Sequence, residues 1–400
     1  MKPDAHTYLD ELVASPFSRL AQRLDGIKPG ASPIDLSLGE PKAMIPPFVG
    51  PILQQYLTAF GRYPPIKGIP DLRQAIAGWI GRRYPTLQGK IEPESQVLPL
   101  NGSREGLFSS IFPAMARKSV ERPAVLIPNP FYQAYAAAAV ASGAEQHFLP
   151  STADNGFLPD LEAIDPALLE RTIALYLCSP SNPQGAVAGS DYLTRAIGIA
   201  RRFDFMLFAD ECYSEIYSDT PPVGALETAY REAGSFKNVV VFNSLSKRSG
   251  LPGLRSGFVA GDADFIAALT RFRNVACPQV PLPVQYVSAA AWADEDHVEE
   301  GRTLYRQNFD LADRLLDGRY VYGRPAGGFF LWLNMAAFGG GEAAATTLWK
   351  GCGVKVLPGT YLTHAQPDLE SPGRDYVRVA LVHEADITRE ALTRIVSTLG

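Results

Sequence analysis

The sequence predicts an α/β protein in which helices flank a mostly parallel sheet, with a smaller α+β domain at the C-terminal end. Short apolar or β-branched runs alternate with longer segments of helical periodicity through the first two thirds of the chain. Each run ends in a turn of polar, Gly or Pro residues, as buried strands do. Because parallel strands are joined by crossover helices, this alternation favours a sheet with helices on both faces.

Four segments are predicted as strands of that sheet, and the helical segments lie between them. The strands are 124–130, 173–180, 205–211 and 238–246, and the helices are 132–143, 191–203 and 221–234. Ligands of such sheets bind beyond the carboxyl ends of the strands. We therefore expect the functional site among the polar residues that close these four strands.

The pattern changes in the last quarter of the chain. Residues 297–318 have the periodicity of a long amphipathic helix, and 327–335, 353–359 and 376–382 are predicted as strands. We predict three parts: an N-terminal segment, 1–45, that packs with the small domain; a large domain, 46–289; and a small C-terminal domain, 290–400.

Composition excludes several classes of protein. The 400 residues are 46% hydrophobic and 20% charged, which suits a large folded core and not a disordered chain. The net charge of −5, with no long basic run, argues against nucleic acid as the main partner. The N-terminus lacks the apolar core of a signal peptide, and no apolar run approaches the roughly 20 residues of a bilayer span. We expect a soluble cytoplasmic protein with no membrane partner.

Common catalytic motifs are missing from the sequence. The four cysteines are scattered without C-x-x-C spacing, and the five histidines form no ligand cluster, so we expect neither disulfides nor a metal site. There is no P-loop, no G-x-G-x-x-G after a strand, and no G-x-S-x-G. Metal-dependent and Ser-His hydrolysis are therefore disfavoured.

The strand ends instead carry a lysine, carboxylates and groups that bind anions. Ser103 and the amide of Arg104 follow a glycine at a predicted helix start, where a phosphate binds or a serine merely caps the helix. Asp210 ends a strongly apolar strand, so we expect a partly buried carboxylate that either needs a charged partner or caps the next helix. Arg378 lies within an apolar strand, where a ligand carboxylate or an internal salt bridge would be its partner.

Other strand ends add an amide, aromatic rings and an amine. Asn182 stands in a turn between prolines, and Tyr132 and Tyr135 follow another strand, where packing is the alternative role. Lys247 follows the strand 238–246, with hydroxyl and guanidinium groups around it. A phosphate cradle, an aromatic face, an acid for a ring nitrogen, an amine nucleophile and a carboxylate clamp are together what pyridoxal phosphate requires.

Eight motifs in order make the chain resemble the class I/II aminotransferases, which are fold type I enzymes dependent on pyridoxal 5'-phosphate. The motifs are SLGEP, YPPIKGIPDLRQAI, NGSREGLF, NPFYQAY, CSPSNPQG, FADECYSEIY, SLSKRSGLPGLRSGF and YVRVAL. The resemblance covers essentially the whole chain. It implies a large domain with a seven-stranded sheet, amino acid and 2-oxo acid substrates, and a homodimer with shared active sites.

The resemblance also implies roles around the cofactor ring. Lys247 resembles the lysine that binds the cofactor covalently and moves the substrate proton. Asp210 resembles the acid that pairs with the pyridine nitrogen. Asn182 and Tyr213 match the groups that hydrogen-bond the phenolic oxygen of the ring, and Tyr132 matches the aromatic side chain stacked on its face.

The resemblance also assigns residues to the cofactor phosphate and to the substrate carboxylate. The residues that match the phosphate-binding groups of the family are Ser103, Arg104, Ser244, Ser246 and Arg255. Tyr63 resembles the tyrosine that contacts the phosphate from the partner subunit. Arg378, with Asn182 and the backbone of Gly39, matches the clamp on the substrate α-carboxylate.

Among aminotransferases, the motifs around Lys247 look most like those of the N-succinyldiaminopimelate aminotransferases of lysine biosynthesis. Alternatives are an aspartate, aromatic or LL-diaminopimelate aminotransferase, a C–S lyase on the same fold, and a cofactor-binding regulator domain. The regulator is disfavoured because such proteins carry a DNA-binding module ahead of the fold, and too few residues precede the fold here. The proline-rich segment 274–285 departs from the pattern, and we expect it near the substrate side chain. Arg104 and Arg248 are candidates for binding the distal carboxylate, or they face solvent or support the phosphate.

Overall fold

The computed structural model describes residues 15–42, 45–365 and 370–400. Its strands are β1 (Ile34–Asp35), β2 (Val97–Leu100), β3 (Ala124–Asn129), β4 (Glu145–Pro150), β5 (Thr172–Cys178), β6 (Met206–Asp210), β7 (Val239–Ser244), β8 (Gly257–Gly261), β9 (Phe330–Asn334), β10 (Val354–Lys355), β11 (Leu357–Pro358) and β12 (Tyr376–Ala380).

Fifteen α-helices lie among these strands in the part of the chain that is described. They are α1 (Pro16–Leu24), α2 (Val49–Gln55), α3 (Pro70–Arg83), α4 (Ser103–Ser109), α5 (Ile111–Arg117), α6 (Gln133–Ser142), α7 (Pro166–Arg171), α8 (Ser190–Arg202), α9 (Ala225–Ala233), α10 (Leu245–Arg248), α11 (Ala263–Ala276), α12 (Leu282–Ala293), α13 (Asp296–Leu316), α14 (Gly341–Cys352) and α15 (Ala385–Leu399). Short 3-10 turns are Leu57–Gly61, Pro85–Leu87, Ala153–Asn155, Pro252–Leu254, Ala336–Phe338 and Gly359–Leu362.

A seven-stranded sheet forms the centre of the molecule, in the order β2-β8-β7-β6-β5-β3-β4. The pairs from β7 to β4 are parallel, and β8 runs antiparallel to both of its neighbours. The predicted α/β class, with a mostly parallel seven-stranded sheet, is therefore confirmed. Because β5, β6 and β7 are parallel neighbours, their carboxyl ends lie side by side.

Successive side chains of the central strands point to opposite faces of the sheet, so the apolar core has two layers. On β6, Leu207 and Ala209 pack into one apolar cluster, and Met206 and Phe208 pack into the cluster on the opposite face. Helices α3, α8, α9 and α12 cover the first face, and α5, α6 and α11 cover the second. Both faces of the sheet are dry, so a polar residue on a central strand is tolerated only where the strand ends.

The C-terminal part has an antiparallel sheet of its own, in the order β11-β12-β9. The segment 353–359 was predicted as one strand, but it divides into β10, which pairs with β1, and β11, which pairs with β12. Through β10 the N-terminal strand β1 joins this part, and α1 packs against Leu357, Tyr361 and Leu362.

The strands predicted from sequence are present, with ends that differ by up to three residues. The largest difference is at 327–335, where β9 begins only at Phe330. At 238–246, β7 ends at Ser244 and the next residues begin the short helix α10. The division of the chain near residues 45 and 290 stays a prediction, and residues 1–14 of its N-terminal segment lie outside the described residues. Within the described ranges, no helix is long and apolar enough to cross a membrane.

Candidate active site

Polar residues at the carboxyl ends of the central strands meet in one cavity of about 390 Å³. Of the thirteen side chains and backbone groups predicted for the site, twelve line this cavity: Gly39, Ser103, Arg104, Tyr132, Asn182, Asp210, Tyr213, Ser244, Ser246, Lys247, Arg255 and Arg378. Tyr63 does not, and its side chain is 99% exposed. The cavity therefore joins strand ends of the large sheet to β12 of the C-terminal part.

Asp210 is a buried carboxylate without a cationic partner among the described residues. It ends β6, where it pairs in register with Cys178 and Phe242 of the flanking strands. The Tyr135 hydroxyl donates to Oδ2 at 2.6 Å, and the amide of Cys212 donates to Oδ1 at 3.2 Å. Burial raises the pKa of Asp210, and these two hydrogen bonds only partly oppose that shift.

Lys247 lies in the four-residue helix α10, which follows β7 directly. The Ser244 side chain accepts a hydrogen bond from the amide of Ser246 at 3.1 Å and so caps this helix. The Lys247 amine donates to the carbonyl of Gly39. Burial, and secondarily the positive charge of Arg378, lower the pKa of Lys247 to about 8. About a fifth of the amine is therefore neutral near pH 7.4, far more than for an exposed lysine.

Three hydroxyls and one guanidinium form a separate cluster in the cavity. Ser244 donates to Ser246 at 2.9 Å, and Ser103 lies at the start of α4. Arg255 adopts a left-handed backbone, with φ of 53°, and its side chain donates to the carbonyl of Pro252. Gly102 precedes Ser103 with a φ of 82°, a backbone conformation that favours glycine, and its missing side chain leaves room for the guanidinium of Arg255. Hydroxyl and guanidinium donors suit a phosphate group.

Arg378 is a buried guanidinium on β12, only 4% exposed. It donates to Oδ1 of Asn182 at 3.0 Å and to the carbonyl of Ser37 at 2.7 Å, while its Nε has no partner among the described residues. Burial lowers the pKa of Arg378 to about 10. A carboxylate that enters the cavity would supply the anion that this guanidinium lacks.

Aromatic rings close the cavity around these charges. Tyr213 is buried and lies edge-on to Phe329 and Phe330, with ring centroids 5.5 and 5.9 Å away. Burial raises the pKa of Tyr213 well above its usual value, so its hydroxyl stays protonated and can donate. Phe330 also lies against Gly39, where a Cβ would be 2.5 Å from the phenylalanine Cζ. Gly39 therefore needs to be glycine for its carbonyl to meet Lys247.

Arg248 does not line the cavity, so its candidacy for the distal carboxylate was wrong. Its side chain is buried beside Trp292, donates to the carbonyls of Ala291 and Asp294 at the end of α12, and pairs with Glu295 at 2.8 Å. Arg248 therefore ties the lysine helix to α12. Arg104, by contrast, lines the cavity, and its Nε donates to the Tyr132 hydroxyl at 2.5 Å.

The segment 274–285 lies outside the cavity of its own chain, contrary to expectation. Its Pro278 carbonyl accepts from Asn101 and Arg273, and Gln285 hydrogen-bonds Ile69 and Val280. Those contacts attach the segment to α3 and to the loop before α4.

Sequence reasoning missed several residues that line the cavity. Tyr135 was left as either core or site, and its bond to Asp210 shows that it belongs to the site. Others were not considered at all: Phe17, Leu38, Glu40, Gln133, Ser151, Cys178, Gln184, Cys212 and Phe330. The spacing of Tyr132 and Tyr135, which share one face at the start of α6, was the only available signal. The described residues include no group of three or more His, Cys, Asp or Glu that could hold a metal ion.

Comparison with known proteins agrees with this geometry. The family model for "Aminotransferase class I and II" matches residues 31–396. This chain is a class I and II aminotransferase. It is 31% identical over 392 residues to an LL-diaminopimelate aminotransferase of Desulforudis audaxviator, covering 96% of this chain and 95% of the relative.

Solved structures are similar over nearly the whole aminotransferase chain. An aminotransferase from Neisseria meningitidis superposes with a TM-score of 0.93 at 37% identity, covering 98% of this chain and all of that one. A probable N-succinyldiaminopimelate aminotransferase from Thermus thermophilus superposes with a TM-score of 0.82 at 25% identity, covering 96% of this chain and all of that one.

Aminotransferases of this family use pyridoxal 5'-phosphate, and the cavity of this chain fits that group. No cation from the described part of the chain pairs with the buried Asp210 carboxylate, and a protonated ring nitrogen would supply one. The hydroxyl and guanidinium cluster lies in the same cavity and suits the phosphate. The Nε of Arg378, which has no partner within the described ranges, would be able to donate to a carboxylate in the cavity.

The electrostatics predict how Lys247 titrates in the cofactor-free protein. Its amine should react with acetic anhydride with a midpoint near pH 8, because only the neutral form is nucleophilic. In Arg378→Gln the midpoint should move upward, because a charge that disfavours the ammonium form is gone. Competitive labelling followed by mass spectrometry measures the midpoint.

Arg195→Gln, which removes a largely exposed arginine of α8, serves as the control and should leave the midpoint in place. An Arg378→Gln midpoint equal to or below that of the unmodified protein would show that the Arg378 charge does not act on Lys247.

Proposed function

We propose that this aminotransferase transfers the amino group of a dicarboxylic amino acid of the diaminopimelate type to a 2-oxo acid. The observation that carries the proposal is that Arg104, like Arg378, lines the cavity, where its side chain contacts the Tyr132 hydroxyl. Arg378 fits one carboxylate, and Arg104 with the Tyr132 hydroxyl offers a separate pair of donors for another. A donor with carboxylates at both ends would use both sites.

LL-diaminopimelate with 2-oxoglutarate is the first pair to test, because relatives at about 30% identity over almost the whole chain carry that name. N-succinyl-LL-diaminopimelate is the second candidate donor, supported by the motifs around Lys247 and by the similarity to the Thermus thermophilus protein. LL-diaminopimelate has two carboxylates and its N-succinyl form has three. Each donor keeps a carboxylate distant from the reacting α-carbon, so the Arg104 site suits either.

The residue roles in this proposal follow from the contacts in the cavity. Lys247 would bind the cofactor covalently, Asp210 would pair with its ring nitrogen, and Asn182 and Tyr213 would hydrogen-bond its phenolic oxygen. Tyr132 would lie on the ring face. The phosphate would be held by Ser103, the amide of Arg104, Ser244, Ser246 and Arg255.

Bound pyridoxal phosphate supplies a protonated ring that withdraws electrons from the α-carbon of the donor. Arg378 and Asn182 orient the donor by its α-carboxylate, close to the Gly39 carbonyl that holds Lys247. The Lys247 amine, with its lowered pKa, accepts the proton from the α-carbon and later gives it back. Asp210 keeps the nitrogen protonated because a buried carboxylate favours an adjacent cation.

We also propose that the enzyme is a homodimer in which Tyr63 contacts the phosphate of the partner subunit. Leu57, Phe60 and Tyr63 are 60%, 55% and 99% exposed within one short segment. Large apolar side chains clustered on a surface mark interfaces. Sedimentation equilibrium should give twice the chain mass of 43.4 kDa. A fully active monomer would exclude this role of Tyr63.

The activity is tested by incubating the cofactor-loaded enzyme with each donor and 2-oxoglutarate. Formation of glutamate from LL-diaminopimelate or from its N-succinyl form supports the proposal. Brisk turnover of L-aspartate or aromatic amino acids, with neither dicarboxylic donor accepted, would place the chain elsewhere in the family. Release of pyruvate and ammonia from a cysteine conjugate would favour a C–S lyase.

Arg104→Met should separate dicarboxylic from monocarboxylic donors. A hydrogen bond to a charged group contributes roughly 1.5–3 kcal/mol, so kcat/KM for the dicarboxylic donor should fall by about 10- to 100-fold. The value for L-methionine should change far less, because that donor has no distal carboxylate. Steady-state kinetics with both donors measures the difference.

Cofactor absorbance is recorded in the same preparations, so that a loss of cofactor is not mistaken for a loss of donor binding. Arg195→Met, with its charge outside the cavity, is the matched control. Equal losses with both donors would show that Arg104 does not bind the distal carboxylate.

A further inference from the structure

One side of the cavity is lined by uncharged residues that neither the proposed cofactor contacts nor the carboxylate contacts use. We call it the neutral recess and define it by Gln133, Ser151, Phe157, Leu158 and Gln184. These residues follow the ends of β3, β4 and β5, which are neighbours in the sheet. The recess therefore lies on the β4 side of the cavity, away from β7 and Lys247.

Two polar groups of the recess are buried without a hydrogen-bond partner among the described residues. They are Nε2 of Gln133 and Oγ of Ser151. Ser151 is 3% exposed. Both of its backbone groups form hydrogen bonds: its amide donates to the Asn129 carbonyl, and its carbonyl accepts from Gln184 at 3.5 Å. A buried polar group left unpaired costs about 1–3 kcal/mol, so each atom would be stabilised by an acceptor that came within hydrogen-bond distance.

The charge of the recess limits what that ligand atom can be. The charged residues that line the cavity are Glu40, Arg104, Asp210, Lys247, Arg255 and Arg378, and none belongs to the recess. A carboxylate there would be buried without a cation, at a cost that two neutral donors do not offset. A neutral carbonyl oxygen needs only such donors, and it accepts two hydrogen bonds.

Backbone geometry holds the apolar wall of the recess in place. Gly156 and Phe157 both have left-handed backbones, with φ of 64° and 61°, and the amide of Phe157 donates to the Thr152 carbonyl at 2.7 Å. A left-handed conformation is uncommon for phenylalanine and carries strain. The strained turn brings Phe157 and Leu158 into the cavity, where they provide apolar surface beside the two donors.

We propose that the neutral recess is a specificity subsite that binds the amide carbonyl oxygen of an acylated donor side chain, with Gln133 Nε2 and Ser151 Oγ as its hydrogen-bond donors. This inference rests on the proposed function and adds to it a subsite for the acyl group of the N-succinyl donor. Gln133 directly follows Tyr132, so the subsite adjoins the Arg104 and Tyr132 pair. An acylated dicarboxylic donor would then use both.

The test compares a free donor with its acylated form in matched variants. LL-diaminopimelate and N-succinyl-LL-diaminopimelate are assayed with the cofactor-loaded unmodified enzyme, Ser151→Ala and Gln133→Leu. Each variant should lower the ratio of kcat/KM for the acylated donor to that for the free donor by about 3- to 10-fold, the effect of one neutral hydrogen bond. Ser142→Ala is the control, since its hydroxyl donates to the Ala139 carbonyl within α6.

Binding is measured separately from turnover. The enzyme loaded with pyridoxamine phosphate does not react with an amino donor, so calorimetry gives the Kd of the acylated donor directly. That Kd should rise about 3- to 10-fold in Ser151→Ala and in Gln133→Leu, and should not change in Ser142→Ala.

The outcomes separate this inference from the proposed function. An unchanged ratio together with an unchanged Kd in both variants would overturn the subsite, whatever the enzyme transaminates. If neither donor is turned over but the Kd still rises in both variants, the subsite stands and the proposed reaction is wrong. Ser151→Ala changes one oxygen atom, so it keeps the test valid if Gln133→Leu folds poorly.

Discussion

The active site depends on one buried carboxylate that no cation among residues 15–42, 45–365 and 370–400 neutralises. Asp210 lies at the end of the central strand β6, with dry layers of side chains on both faces of the sheet. Its oxygens accept from Tyr135 and from the amide of Cys212, and both donors are neutral. A charge in such a position is costly unless a cation joins it. A cation beside Asp210 would therefore be stabilised, and in the proposed function that cation is the protonated ring nitrogen of the cofactor.

The positively charged side chains of the cavity come from elements other than the strand that carries Asp210. Arg378 comes from β12 of the C-terminal part, and Lys247 comes from the helix after β7, so three segments distant in sequence must pack correctly. Arg378 lowers the pKa of Lys247. A donor carboxylate bound to Arg378 would cancel part of that effect and make Lys247 a stronger base once the substrate is in place. The same guanidinium would thus both bind the donor and prepare the base.

Much of this site could be predicted from sequence, for a physical reason. A charged residue such as Asp210 or Lys247 that follows an apolar strand has few structural uses, and parallel strands bring their ends together. Tyr135 could not be assigned in this way, because an aromatic residue after a strand is usually core, and only the fold shows its bond to Asp210. The prediction for Arg248 was wrong because a motif does not reveal the direction of a side chain, and the Arg248 side chain points towards α12. Gln133 and Ser151 belong to no motif, and only the structure brings them to one cavity.

The central claim is tested most directly by the affinity of the cofactor-free protein for pyridoxal phosphate, measured by calorimetry for the unmodified chain and for Asp210→Asn. Loss of a buried, charge-assisted contact should weaken binding by about 10- to 100-fold. Asp204→Asn, which changes an exposed carboxylate paired with Arg117, should bind as the unmodified protein does. The cofactor-free Asp210→Asn protein should be no less stable to heat, because it loses an unpaired buried charge. Binding of pyridoxal phosphate by Asp210→Asn as tight as that of the unmodified protein would contradict the account.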